Sequence, residues 1–584
     1  MNGFLKTFFA ALLAILAFVF IVMFMTIVAV SSIATRKTAE VPAKSVLVID
    51  LGDHFSDVPP SDPWSEISNV GKESTPGLYE LIRIIKHARY DPAIQGIYLK
   101  AGSNSNDFAS SEELRKAIIN FRSDGKFVYA YGDVIGEQAY LVALAADKIY
   151  CNPMGGLEWD GIAMQMPFIK TALEKLEIQP QIFYAGKFKS ATEPLRETRM
   201  TDANRLQSIE LLGDLYGNFL TTASASRKID TATLHRYADS NAIAFPVDAL
   251  KHGLVDGLKY DDEVKEEISK KLGNGAGEKI NFISPAKYGE AVDYKQSGTD
   301  RITVIYAEGT IIDGSGETGQ IGSETYRNYI RKARLDNRVK AVVLRVNSGG
   351  GSSLASEVIW REIAITRKVK PVIVSFGDVA ASGGYYISCG ADIIFAQPNT
   401  ITGSIGVFSV IPNMQPFFNN KLGVSFDEVS TSPHSNMYTV TRPLSPVQRQ
   451  FIQNQIDTIY HTFKTRVADG RKKSMEYVDS IAQGRVWSGS RAVSLGLVDR
   501  IGGLDEAIAA AAAKARIRSY RLNEYPAKQT LVEMFFSDKT ETARVAAIKK
   551  ELGEEGVQTY SLLRYAKQFI GKAQARMPFD ISFR

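Results

Sequence analysis

The sequence predicts an α/β protein built as a tandem duplication, with two related halves of helix-covered parallel sheet behind one apolar amino-terminal segment. Three observations point there: residues that recur in order at a fixed offset, short apolar runs alternating with helix-patterned stretches, and one long uncharged run. The composition sets the bounds. With 584 residues, 45% hydrophobic and 23% charged, the chain can bury large cores and is neither disordered nor fibrous. Its 69 basic and 64 acidic residues leave a net charge of only +5, no electrostatic footprint for nucleic acid. Two cysteines, Cys151 and Cys389, exclude a disulfide framework, a thiolate zinc site and an iron–sulfur cluster.

Taking the elements in order, Phe8 to Val30 is uncharged, with Thr26 its one polar residue. About 20 apolar residues span a bilayer, whereas the apolar region of a cleavable signal has about 7–15. The segment therefore reads as a single membrane anchor, with a cleaved signal ending near Ser32-Ile33-Ala34 as the alternative. Lys6 lies on one side and Arg36, Lys37 and Lys44 on the other, so the flanking charges leave the orientation open.

The duplication follows. Gly132-Asp133-Val134 recurs as Gly377-Asp378-Val379, and at the same offset of 245 Tyr140 matches Tyr385, Asp147 matches Asp392, Pro153 matches Pro398 and Gly161 matches Gly406. Upstream, Asp91 and Leu99 match Asp336 and Leu344; downstream, Gly253-Leu254-Val255-Asp256 faces Gly496-Leu497-Val498-Asp499. Within each half, Val46–Asp50, Gly96–Leu99, Phe127–Tyr131, Lys148–Tyr150, Ile302–Ala307, Ala341–Val346, Val372–Phe376 and Ile393–Ala396 read as buried strands. Gly77–His87, Ser111–Phe121, Tyr326–Leu335 and Ser353–Arg367 read as helices between them, a pattern of parallel βαβ units. Asn274–Ser297 breaks the pattern and marks the joint. The expected organisation is 1–44 for the stub, anchor and linker, 45–290 for the first repeat, 291–520 for the second, and 521–584 for a tail of no derivable role.

A duplication supplies its own control: shared positions are explained by the fold, so chemistry should lie where the halves differ. Three differences stand out. Asn347-Ser348-Gly349-Gly350-Gly351-Ser352, between a strand and a helix, faces Gly102-Ser103-Asn104-Ser105-Asn106. Such a glycine run can turn N–H groups toward an anion or is simply a permissive turn; the lysine of a phosphate loop is missing. Ala381-Ser382-Gly383-Gly384 faces Gly136-Glu137-Gln138-Ala139, so a hydroxyl at a helix start, either a nucleophile or an N-cap, stands where its twin has Glu137. Gly186-Lys187-Phe188-Lys189-Ser190-Ala191 has no basic counterpart in Val429–His434, and burial beside Phe183 and Phe188 would desolvate a lysine there. Taken together, these differences fit one composite site per chain, with a nucleophile and oxyanion loop from one half and a base from the other.

These motifs, with Thr402-Gly403-Ser404-Ile405-Gly406, closely resemble the long form of the signal peptide peptidase A (protease IV) family, membrane-anchored Ser/Lys peptidases of the Clp protease/crotonase-like fold. The resemblance covers nearly the whole chain. It implies Ser382 as nucleophile, Lys189 as general base and the N–H groups of Gly350 and Gly383 as the oxyanion hole, with neither metal nor cofactor. It also implies cleaved signal peptides as substrates, a body on the periplasmic side of the inner membrane, and a homotetramer. One departure is Gly349, where the family loop carries proline. A lysine base must be neutral near operating pH, and a fall of about 3 units from about 10.4 corresponds to about 4 kcal/mol in favour of the neutral amine. Lys187 is the rival base, and a Ser–His arrangement through His434 or His461 is a further alternative. The rival functions are a crotonase-like acyl-CoA enzyme and a catalytically silent membrane scaffold.

Overall fold

A computed structural model of the chain describes residues 40–58, 75–275, 278–317, 319–527 and 572–577, with parts of a helix between 3 and 21. Most of the expected anchor lies outside the described residues. Those described within it, 12–18 among them, are helical, and Leu13, Phe18 and Phe20 are exposed. Among the described residues no helix is long and apolar enough to cross a membrane.

The first half is a six-stranded sheet of β1 (Ser45–Asp50), β2 (Ile94–Lys100), β3 (Phe127–Ile135), β4 (Lys148–Leu157), β6 (Gly257–Leu258) and β7 (Phe282–Ile283), in the order β6-β4-β3-β2-β1-β7. All its pairings are parallel. Helices α1 (Leu78–Tyr90), α2 (Phe108–Arg122) and α3 (Glu137–Ala143) join the strands. The second half repeats the plan with β8 (Asp300–Glu308), β11 (Val339–Ser348), β13 (Val372–Ala381), β15 (Ile401–Gly403), β17 (Val486–Ser488) and β19 (Tyr520–Tyr525). These lie in the order β17-β15-β13-β11-β8-β19, and β14 (Ile393–Ala396) branches from β13 to pair with β18 (Arg500–Ile501). Helices α5 (Ser323–Leu335), α6 (Ser353–Arg367) and α7 (Gly383–Ser388) occupy the positions of α1 to α3. Covered on both faces, β11 is buried at nearly every residue, as its continuous apolar run requires.

The recurring residues do the same work in both halves. Tyr140 Oη donates to the Leu254 carbonyl at 2.6 Å, and Tyr385 Oη donates to the Leu497 carbonyl at 2.9 Å. Asp147 accepts from the Val128 N–H as Asp392 does from that of Val372, and Asp256 and Asp499 accept from Ile149 and Ile394. The tyrosines close loop carbonyls and the aspartates close N–H groups at strand starts, all of which would otherwise be buried without a partner.

The structure refines the organisation read from the sequence: the stretch expected as the joint carries elements of the first half, the second half runs past 520, and a further sheet joins the two. The expected joint contains β7, which pairs with β1, and α4 (Pro285–Ala291), whose Tyr288 donates to Asp91 at 2.7 Å, so the first half runs through Ala291. The second half continues past 520, because β19 pairs with β8 as far as Tyr525. The halves also share a third sheet. Its members are β5 (Gln179–Ala185) from the first half, β9 (Thr310–Ile312), β10 (Gln320–Gly322), β12 (Gly350–Ser352) and β16 (Val407–Asn413) from the second, and β20 (Gln574–Arg576) from the expected tail. Their order is β10-β9-β12-β20-β16-β5. β5 and β16 form a seven-pair antiparallel ladder from Ala185↔Val407 to Gln179↔Asn413. A buried ion pair ties the halves elsewhere: Arg345 on β11 contacts Asp57 at 2.9 Å and Glu113 at 2.7 Å.

Candidate active site

The β5–β16 ladder decides where Lys189 lies. At the end of β5 the chain turns through Gly186 and runs into a short 3₁₀ turn at Ser190–Thr192, which brings Lys189 beneath the start of α7. Lys189 Nζ stands 2.9 Å from Ser382 Oγ, 3.0 Å from Ser404 Oγ and 3.2 Å from the Ser404 carbonyl oxygen. Its side chain is 1% exposed and Ser382 is 0% exposed. Burial pushes the Lys189 amine well below the ordinary lysine range, and no neighbouring carboxylate opposes it. A neutral amine has two N–H groups and one lone pair. Ser404 offers two acceptors, which leaves the lone pair for the Ser382 hydroxyl.

Phe188 stacks against Arg485. Backbone of the second half closes over the Lys189 side chain. A Cβ on Gly484, which has φ +76°, would fall 2.6 Å from Lys189 Cβ, and one on Gly406 would fall 3.1 Å from its Cδ. Lys187 points the other way: it is exposed, with Nζ over the Phe188 ring. His434 and His461 are exposed as well, so neither reaches the buried serine.

Ser382 is not a side-chain N-cap, since its hydroxyl makes no capping bond to α7. It sits at φ 54°, ψ −112°, a conformation that costs a non-glycine residue on the order of 1–3 kcal/mol. Its N–H donates to the Gly403 carbonyl at 2.8 Å and its carbonyl accepts from Tyr386, so the surroundings hold the strained turn. The glycine run after β11 is a strand, β12, rather than an open loop. Gly350 has φ +99°, and a Cβ there would lie 2.6 Å from the Gly383 N, so the two glycines meet beside the serine. The Gly350 N–H itself donates to Ser348 Oγ at 3.1 Å. Gly349 needs no special freedom: a Cβ there would meet only Met577 Cβ, at 3.6 Å. Ser352 caps α6 by accepting from the Ala355 N–H.

The structure thus unites Ser382, Lys189, Gly350 and Gly383, and adds Ser404, which sequence reasoning missed. The signal was present, because the first-half counterpart of Ser404 is Trp159, a fourth difference between the halves. Among the described residues no group of His, Cys, Asp or Glu is arranged to hold a metal ion. Cys151 and Cys389 are both free and buried, with their thiols pushed up by burial to about 11 and about 12.

Comparison with known proteins identifies the family. The model of peptidase family S49 matches twice, over residues 120–274 and 364–518, one match in each half. The chain belongs to peptidase family S49. Protease 4 of Salmonella typhi is 36% identical over 532 residues, covering 88% of this chain and 85% of its own. Protease 4 of Haemophilus influenzae is 34% identical, covering 84% and 82%. The chloroplastic serine protease SPPA of Arabidopsis thaliana is 33% identical, covering 76% and 66%. A solved Clp protease, a point mutant of ClpP1 from Listeria monocytogenes, aligns with 35% of this chain and 94% of its own at 16% identity and a TM-score of 0.24, too low to bear on the architecture. This S49 protein is a serine protease of two α/β repeats, which sets aside the acyl-CoA enzyme and the silent scaffold.

Proposed function

We propose that this S49 protease cleaves peptides with Ser382 as nucleophile and Lys189 as general base. The observation that carries the reading is the buried 2.9 Å contact between Lys189 Nζ and Ser382 Oγ. Lys189, neutral because it is desolvated, takes the hydroxyl proton as Oγ attacks the peptide carbonyl. The N–H groups of Gly383 and, once turned from Ser348, Gly350 meet the developing oxyanion, and losing one such donor typically costs about 2.7–4 kcal/mol. Lys189 then passes its proton to the leaving amine, and water hydrolyses the acyl-enzyme. Ser404 holds the amine so that its lone pair faces the serine.

Signal peptides left in a membrane after cleavage are the substrates this reading favours. A relative from Enterococcus faecium, 34% identical over 231 residues, is described as a putative signal peptide peptidase SppA. The exposed apolar side chains of the described amino-terminal helix suit an anchor. The reading extends to a single-pass inner-membrane protein with its body on the periplasmic side, assembled as a homotetramer. The test is labelling by a fluorophosphonate probe together with hydrolysis of a fluorogenic peptide. Both are expected in the parent and in Lys187→Ala, and both lost in Ser382→Ala and Lys189→Ala. Labelling that survives in Ser382→Ala would move the nucleophile elsewhere.

A further inference from the structure

The helix Asp202–Arg227 belongs to the first half by sequence, yet its opening turns lie against the second. Leu211 and Leu215 pack with Ala381, Ile401 and Val486, and Glu210 and Asp214 meet Arg485 and Arg491. Between those contacts and the turn that carries Lys189 stands one buried amide, Gln207. Its Nε2 donates toward Ser190 Oγ at 2.9 Å, Asn204 Oδ1 at 3.0 Å and the Phe188 carbonyl at 3.1 Å. Its Oε1 accepts from the Val486 N–H at 3.3 Å.

The two ends of this amide hold different parts of the site. Phe188 and Ser190 flank Lys189 in the chain. Val486 lies on β17 and pairs with Gly403, whose carbonyl accepts from the Ser382 N–H. Beside it, the Arg485 carbonyl accepts from the Ser404 N–H at 2.7 Å. One side chain thus joins the turn of the base to the strand that seats the nucleophile and Ser404. A carboxylate sets which way the amide faces. Glu193, also buried, accepts from Thr201 Oγ1 at 2.5 Å and from Asn204 Nδ2 at 2.8 Å. That turns Asn204 Oδ1 toward Gln207, and so turns Gln207 Nε2 toward the lysine turn. The matching helix of the second half, Pro446–Arg471, starts from an equivalent cap, Ser445 for Thr201. At the same offset it has an exposed Phe451 where Gln207 stands, so the amide is a further difference between the halves.

We infer that Gln207 is a positioning residue for the proton transfer, fixing the lysine turn to β17 so that Lys189 Nζ is held at the Ser382 hydroxyl. The inference rests on the Ser382–Lys189 reading. A base acts only within hydrogen-bond reach of its proton, and a misplacement of about 1 Å can cost about 10²-fold. Without the amide, the turn keeps its bond from the Phe188 N–H to the Gln483 carbonyl at 2.7 Å. It loses the tie on its other side, which frees the amine to drift from the serine and admits water to it.

Hydrolysis of a fluorogenic peptide by the full chain, followed across pH beside thermal unfolding, tests this. Gln207→Met keeps the length and helix preference of the side chain while removing both donor and acceptor. It is expected to lower kcat by about 10- to 100-fold with KM within about twofold. The rise of rate with pH should also move to higher pH, because a less enclosed Lys189 returns toward the ordinary lysine value. Ser190→Ala removes one acceptor and is expected to act in the same direction, by about threefold in kcat. Asp214→Asn is the control. It weakens the bonds from Ser488 Oγ at 2.7 Å and Arg491 Nε at 2.6 Å, on the same helix but away from the lysine turn. It is expected to lower the unfolding temperature and leave the pH profile in place. A Gln207→Met protein with the parent's kcat, or one whose activity falls while the pH profile stays in place, overturns the inference. If Gln207→Met does not fold, a Ser190→Ala protein with the parent's kcat and profile overturns it. Full hydrolysis by Lys189→Ala would instead sink the Ser/Lys reading, and the inference with it.

Discussion

The two halves are built alike where the backbone must be satisfied and unlike where the chemistry is. Tyr140 and Tyr385 close equivalent carbonyls, and Asp147 and Asp392 close equivalent strand ends. At the start of the third helix of each half the likeness stops. Ser382 meets Lys189 there, whereas Glu137 accepts from the Gly161 N–H at 2.9 Å beside Glu158 and Asp160, in a cavity of about 470 Å³. Burial raises the Glu137 carboxyl to about 7. The first half has thus kept the frame and given its lysine to the other half's serine, so one site needs both copies.

The comparison can be broken at several points. Ser382→Ala and Lys189→Ala should each lower kcat/KM for peptide hydrolysis by at least about 10³-fold, since the two act as a unit. In the parent, the rate should rise with pH as Lys189 loses its proton. Because burial lowers that pKa, the rise should come below the ordinary lysine value of about 10.4. A rate that falls over the same range would contradict a lysine base.

Ser404→Ala should cost about 10²-fold, as the amine loses one of its two fixed acceptors and its aim. A drop in kcat with KM held would distinguish lost positioning from lost binding. The control pair should behave quite differently. Tyr140→Phe and Tyr385→Phe should each destabilise the fold by about 1–3 kcal/mol, by leaving a buried carbonyl unpaired. Denaturant titration giving clearly unequal losses would mean the halves are not mechanically equivalent.

The smallest effect is expected at Glu137. Glu137→Gln should leave peptide hydrolysis within about twofold, because no step runs through the first-half cavity. The native state holds the Glu137 proton up to about 7, whereas an unfolded glutamate releases it near 4.5, so stability is lost as pH rises through about 7. Glutamine does not titrate, so the variant should unfold roughly 1–3 °C higher at pH 8, a gain that vanishes below pH about 4.5.

Much of this was legible in the chain because it is local or repeated. Helix α6 runs Ser353–Arg367 and β14 runs Ile393–Ala396, as the hydrophobic pattern predicts. The offset picked out Ser382 and the lysine segment. Family likeness favours Lys189 over Lys187 as the base, and the physical difference between them is tertiary: one amine is enclosed and the other is exposed. The β5–β16 ladder joins strands more than 200 residues apart and could not be read from spacing. Nor could β20, three residues with no periodicity beyond their own length.

By itself the sequence determined the repeated α/β frame and the residue types present at each divergence, since periodicity and self-similarity are written along the chain. Tertiary structure alone decided that Lys189 is desolvated, that Ser404 lies within hydrogen-bond reach of its amine, and that Gly350 and Gly383 meet beside Ser382. Those facts depend on which distant backbones close over a side chain, and the burial of a charge is a property of that enclosure rather than of the residue.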